Sequence, residues 1–211
     1  MSPGDTVCFS GGELTGTDVT MTKSGTTQAP IKLVSDGATV RSVQITADHV
    51  TLEGFTVANG DGVLLRGTGI TAKNNTISNT VPQGNGDADG MRFFGNGHRI
   101  TGNTCRNVDA QCLIATGDQS GNSGAPPGSP SITFVDNDCV NNGAQAINLR
   151  RWPGVRIRHN RFSGPNVTRA VLLIDGSTGA IVVDNTTTGR PTVDIDNSSR
   201  PGSHVDANNP G

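Results

Sequence analysis

The sequence predicts an all-β solenoid, one short coil repeated along an axis, and three observations carry that prediction. Short alternating runs of apolar and polar residues, bounded by Gly and Asn, recur from end to end. Apolar residues nowhere recur at helical spacing for more than a turn. The runs align in columns with a repeat of about 20 to 25 residues and one interval of 34.

The composition agrees with this architecture. The chain of 211 residues has 29 Gly, no Tyr, one Trp and six Phe, so its core must be built mainly from Val, Ile, Leu, Ala and Thr. Sixteen Lys plus Arg against 18 Asp plus Glu leave a formal charge of -2. Such a balance argues for neither nucleic acid nor an anionic membrane as partner. No apolar run approaches membrane-spanning length.

In chain order, the entry coils are "PGDTVCFSGGEL" and "SGTTQAPIKLVSDGATV". The repeats follow as "TLEGFTVANGDGVLL", "TAKNNTISNTVPQG", "ITGNTCRNVDAQCLI", "TFVDNDCVNNGAQAI", "RIRHNRFSGPNVTRAVLL" and "VVDNTTTGRPTVDI". One column reads Phe55, Asn75, Asn103, Asn137, Asn160, Asn185. Asn tolerates left-handed backbone and its amide can bond to the Asn above and below, so this column is expected to be an Asn ladder at a sharp turn. Two residues later stand Val57, Ile77, Cys105, Cys139, Phe162 and Thr187, a mostly apolar column expected to point inward. The segment "GDQSGNSGAPPGSP" (117–130) accounts for the long interval as a loop. The solenoid is expected over 1–200, with 201–211 a disordered tail.

Stacked positions on neighbouring coils lie roughly 4.8 Å apart, inside the Cα range of a disulfide. The pairing expected on that ground is Cys105 with Cys139, the alternative being two buried free thiols, with Cys8 and Cys112 unpaired.

The opening Gly-Asp-Thr strand, the Ser-Gly-Thr turn and the Pro-Ile strand resemble the start of polysaccharide lyases of the alginate lyase and chondroitinase B type. Over nearly its whole length the chain resembles the pectin-lyase-like superfamily. The resemblance implies a single-stranded right-handed parallel β-helix of about seven coils. It also implies export, with Met1 standing where a leader was removed, and a monomer or weak oligomer acting on an acidic polysaccharide.

Function on such a fold lies along the outer face of one sheet. Asp61 in "GDGV" and Asp89 in "DADGM" share a column, with Asp87 two residues earlier and Asp109 on the next coil. Clustered carboxylates need a cation or a proton, and calcium suits them, so Asp61, Asp87 and Asp89 are candidate metal ligands. Turn chemistry alone explains Asp-Gly equally well. Arg92 follows the cluster, while Arg150 and Arg151 end "AINLRRW". Arg grips carboxylate in a fork, so these three are candidate catalytic residues engaging an acidic sugar, with Asp109 and the lone Trp152 as substrate contacts; the plain alternatives are solvated surface charge for the arginines and a hydrophobic plug over the turn "WPG" for Trp152. His98 and His159 read as turn residues.

Elimination at a uronide needs a group to neutralise the carboxylate, a base for the proton beside it and an acid for the leaving oxygen. The absence of Tyr removes one common base, and the lysines are limited to Lys23, Lys32 and Lys73. What remains is the calcium-assisted, arginine-centred lyase site that the resemblance implies. Its alternatives are a non-catalytic glycan-binding or structural module, and a uronan epimerase.

Overall fold

The computed structural model describes the chain except residues 83–87, 117–131, 165, 166, 168, 189–192 and 207–211. Its strands in chain order begin with β1 (Thr6–Met21), β2 (Ile31–Thr46), β3 (Val50–Glu53), β4 (Thr56–Thr68), β5 (Thr71–Lys73), β6 (Thr76–Ser78) and β7 (Met91–Asn96). They continue with β8 (Arg99–Thr101), β9 (Thr104–Arg106), β10 (Leu113–Thr116), β11 (Thr133–Val135), β12 (Asp138–Val140) and β13 (Ile147–Arg150). The last are β14 (Arg156–Arg158), β15 (Arg161–Ser163), β16 (Val171–Ile174), β17 (Ile181–Val183), β18 (Thr186–Thr188), β19 (Val193–Ile195) and β20 (His204–Val205).

Every pairing between them is parallel, and the pairings sort into three faces of a β-solenoid. Face A stacks the starts of β1 and β2 on β3, β5, β8, β11, β14, β17 and β20. Face B stacks the middles of β1 and β2 on the start of β4 and on β6, β9, β12, β15 and β18. Face C stacks the ends of β1, β2 and β4 on β7, β10, β13, β16 and β19. This is the predicted β-helix, with about seven turns.

Strand alternation builds the core. In the three-residue strands the middle side chain points into the lumen, as Ala72, Ile77, Ile100, Phe134, Ile157 and Val182 do. Large rings fill the wider places: Phe9 meets Phe55 edge-on at 4.9 Å, and Phe93 meets Phe134 at 5.6 Å.

The Asn column is a ladder. Each amide Nδ2 donates to the next Oδ1, from Asn75 to Asn103 (2.9 Å), Asn137 (3.0 Å), Asn160 (2.9 Å) and Asn185 (2.9 Å). Phe55 closes the top by donating its N–H to Asn75 Oδ1. A second, exposed ladder runs at the far end of face B, where Asn141 Nδ2 donates to Asn107 and Asn107 to Asn79, all three at positive φ.

Two expectations require correction. Residues 201–206, assigned by sequence to a tail, include β20, which pairs with β17 and extends face A. The bare backbone edge of β17 is satisfied by any following segment, whatever its hydropathy, so composition hides this strand. The disulfide joins Cys112 to Cys139, with Cα atoms 5.9 Å apart, and leaves Cys105 buried and Cys8 exposed as thiols. Cys105 and Cys139 are in register on face B. Side chains stacked on neighbouring rungs run side by side at the strand spacing, farther apart at Cβ than the roughly 3.8 Å a disulfide requires. Cys112, at the start of face C, reaches Cys139 across the lumen instead.

His98 is the buried turn residue that the sequence suggested. Its Nδ1 accepts the Ile70 N–H, which leaves Nε2 to donate to Phe94 O at 2.9 Å, so the ring is neutral. Burial holds its pKa below the ordinary value. The unfolded chain takes up a proton near pH about 6.5 that the folded ring refuses. Stability is therefore full above that pH and falls as pH drops through it. The melting temperature should decline steadily from pH about 7 to 5, and a flat profile would show that His98 is charged when folded.

Candidate substrate face

Face C is where the predicted residues meet. Alternation sends Leu64, Arg92, Ile114, Asn148 and Leu172 outward in one in-register row. Arg66, Phe94 and Arg150 follow two positions along their strands and point the same way. Arg92 and Arg150 are thus on one surface, two rungs and two residues apart, roughly 12 Å between Cα positions by strand geometry.

Each arginine is held. Asp89, only 3% exposed, accepts Nε (2.9 Å) and Nη2 (2.5 Å) of Arg92 on Oδ2, while its Oδ1 accepts the N–H of Gln111 on the next coil. Arg150 Nε bonds Asp175 at 2.9 Å, and Arg169 Nε bonds Asp194 at 3.0 Å. The Arg66 guanidinium lies over the Phe94 ring at 4.7 Å. Beside them Asn148 Oδ1 is buried without a hydrogen-bond partner among the described residues. Chain entry to this row needs glycine: a Cβ on Gly90 would stand 2.4 Å from Cys112 O and 2.8 Å from Cys105 Sγ.

The other predicted residues separate from this row. Arg151 is exposed with φ 61 in the turn after β13. Asp109 is exposed at the corner before face C, where its Oδ2 accepts the Ala88 N–H at 3.3 Å and so braces the turn that carries Asp89. Trp152 is 1% exposed and packs in the lumen, a correction to its expected role as a sugar platform. The backbone N–H of Trp152 donates to Ser177 Oγ of the next coil at 3.1 Å and fixes the turn "WPG" with the ring inside, where the indole Nε1 has no hydrogen-bond partner among the described residues. His159 points outward between Asp136 (3.8 Å) and Asp184 (3.6 Å).

For calcium, Asp61 and Asp89 do precede paired residues, Val63 and Met91, by the same two positions. Asp61 is exposed, whereas both Asp89 oxygens already accept from Arg92 and Gln111. Asp87 lies outside the described residues, and among those described no three His, Cys, Asp or Glu come together to hold a metal. The described part of the face therefore does not fit the ion, and no step is derived through it.

Asp89→Asn removes a charged acceptor from a partly buried guanidinium. It should lower the melting temperature by about 5 °C, the reverse of the gain that relief of two stacked carboxylates would give. An unchanged or higher value would mean that the Asp89–Arg92 pair does not stabilise the turn.

Sequence reading missed Arg66, Phe94, Asn148 and Arg169. The signal was available: each falls on the period-two outward set of a face C strand or just ahead of it, once β7 and β13 are set in register.

The chain belongs to the right-handed β-helix family, whose model, described as "Right handed beta helix region", matches residues 35–187. No curated protein matches the sequence. Among solved structures, an alginate lyase from Paenibacillus sp. str. FPU-7 superposes with a TM-score of 0.72 at 17% identity, over 89% of this chain and 70% of that one. A PL6 alginate lyase in complex with a trisaccharide gives 0.66 at 12% identity, over 89% of this chain and 48% of that one. Pectate lyase Pel9A gives 0.50 at 14% identity, over 98% of this chain and 71% of that one. At these identities the likeness is one of fold, and this chain spans about half the length of the second enzyme.

Proposed function

We propose that this protein is a polysaccharide lyase that engages an acidic, uronic-acid-containing chain on face C and cleaves it by β-elimination. The observation that carries the reading is Arg92, half-exposed and aimed by the buried Asp89. A guanidinium stays protonated and presents several N–H groups in one plane. With Nε and Nη2 on Asp89, the rest of the fork is available to grip the substrate carboxylate and to stabilise charge that develops as the neighbouring proton leaves. Arg150, on the same face, is placed to hold a second acidic unit. In the elimination a base takes the proton beside the carboxylate, the carbon–hydrogen electron pair becomes the new double bond, and the carbon–oxygen bond breaks so that the glycosidic oxygen leaves with the electron pair of that bond and takes up a proton from an acid. The β-helix neighbours that act on alginate or pectate support this substrate class. The Cys112–Cys139 bond suits an oxidising, extracellular setting.

The test is to incubate the protein with alginate, pectate and glycosaminoglycans, with calcium and with chelator, and to follow the ultraviolet absorbance of the unsaturated uronide. Wild type should generate product from at least one uronan. Arg92→Ala and Arg92→Lys should each lower kcat/KM by about 10²-fold, because a point charge cannot replace the fork.

A second reading has its own observation. Among the described residues of the outer row on face C there is no Lys, His or Tyr to take the proton. A chain that binds uronans without forming unsaturated product is a glycan-binding module. Inversion of uronate configuration without cleavage would identify an epimerase.

A further inference from the structure

We propose that a groove at the corner between faces C and A is a second saccharide site, one that holds a single acidic sugar unit away from the arginines of face C. It rests on the reading of an acidic polysaccharide as ligand, not on catalysis.

The groove has a volume of about 440 Å³, within the roughly 300–1,000 Å³ of ligand clefts. It exists because of how three successive coils turn. His49, Gly69 and Gly97 occupy this corner with φ of 52, 65 and 68. Two of the three coils use glycine, so no side chain fills the space, and the coil before them lays the His49 imidazole across it. A Cβ on Gly69 would stand 2.6 Å from His49 Nδ1. The walls are fixed in advance. Asp48 accepts the Thr68 N–H on Oδ1 at 2.7 Å and the Gly25 N–H on its carbonyl at 2.9 Å, and its own N–H donates to Ser24 Oγ. Thr26 and Ala29 close a turn on each other at the rim.

The lining chemistry suits a sugar. Thr51, Thr68 and Thr71 offer hydroxyls that donate and accept, with methyl groups for the carbon–hydrogen faces of a ring; Asn96 and His49 add further donors and acceptors. Among the described residues that line it, none is a carboxylate or an ammonium. Charge comes from the next rung. Thr51 pairs with Thr71 and Thr71 with Arg99, so Arg99 stands one strand spacing, about 4.8 Å, beyond the groove in the same row. Arg156 continues that row two rungs on, through Thr133. Arg92, Arg150 and Arg169 are each ion-paired, whereas among the described residues no ion pair engages Arg99 or Arg156, and both are exposed. A ring seated between the threonines with its carboxylate on Arg99 satisfies both sets of groups. Asn96 ends the strand that carries Arg92, about 13 Å along it, so the two sites are separate.

Calorimetric titration with a uronate di- or trisaccharide tests the assignment in a chain whose face C grip is removed by Arg92→Ala, taken alone and combined with Thr71→Trp to fill the groove or with Arg99→Ala to remove the charge. Thr71→Trp should weaken binding at least about 10-fold. Arg99→Ala should weaken it about 5-fold and flatten its dependence on salt. Circular dichroism of Thr71→Trp checks that the coil is intact, and Arg99→Ala, at an exposed position, stands as the second variant. The proposal is overturned if the Arg92→Ala chain binds no uronate, if both groove variants bind as their Arg92→Ala parent does, or if a neutral oligosaccharide binds equally well and ignores Arg99. A wild type that binds but yields no unsaturated product sinks the lyase and leaves this site standing.

Discussion

Asn137→Ala should lower the melting temperature by about 10 °C, a large effect for one side chain that touches no ligand. The Asn137 amide donates to Ile100 O at 3.0 Å and to Asn160 Oδ1 at 2.9 Å, and its Oδ1 accepts both N–H and Nδ2–H of Asn103 at 3.0 Å. All of this is buried, with Asn137 itself 2% exposed. Alanine leaves a carbonyl and a peptide N–H without partners where water does not enter. Each orphan costs about 1–3 kcal/mol, so the sum is about 3–4 kcal/mol, and a chain of this size loses about 2–4 °C per kcal/mol. Asn107→Gly in the exposed ladder is the control. Its φ of 51 suits glycine and water replaces its two amide bonds, so thermal unfolding should move by no more than about 2 °C. Equal losses from the two variants would mean that the inner ladder is stabilised by turn conformation rather than by buried amide bonds.

This contrast also marks what the sequence could and could not say. The ladder was legible because its residues are one type at one place in five successive repeats, and the chemistry that selects Asn there is local. The faces were legible for the same reason: period two decides which side of a strand is inside. What the sequence hid depends on how one coil's corner meets the next. Trp152 reads either as an amphipathic platform beside two arginines or as a plug over its turn, and the choice of the lumen shows only in the anchoring of its backbone N–H on Ser177, 25 residues later. Asp89 reads as a turn or a metal ligand, and only the return of Arg92 three residues on shows that it aims a guanidinium. The groove lined by His49 and Thr71 is assembled from four successive turns, three of which share only a residue with positive φ at the corner.

The cysteines give the second large prediction, because pairing by register and pairing across the lumen differ in outcome. Cys112→Ala should cost about 3.5 kcal/mol, the loop-closure value for the 27-residue separation of Cys112 and Cys139, and melt about 10 °C early. Cys105→Ala removes one buried sulfur and should cost about 1 kcal/mol. A Cys105–Cys139 bond would exchange those two results. Cys105 lies in register with Cys139 and its Sγ is 3.7 Å from Cys112 O, so a third sulfur sits beside the bond. Burial pushes its thiol far above the ordinary range, which keeps it protonated, and the thiolate is the form that attacks a disulfide. The native pairing should therefore persist for as long as the coils stay stacked. Unfolding at mildly alkaline pH exposes Cys105, whose thiolate attacks one sulfur of the bond and releases the other as thiolate. A non-reduced digest should show only the Cys112–Cys139 peptide from folded protein, and in addition peptides linked through Cys105 after unfolding without a thiol trap. Cys105-linked peptides recovered from folded, trapped protein would refute both the pairing and its protection.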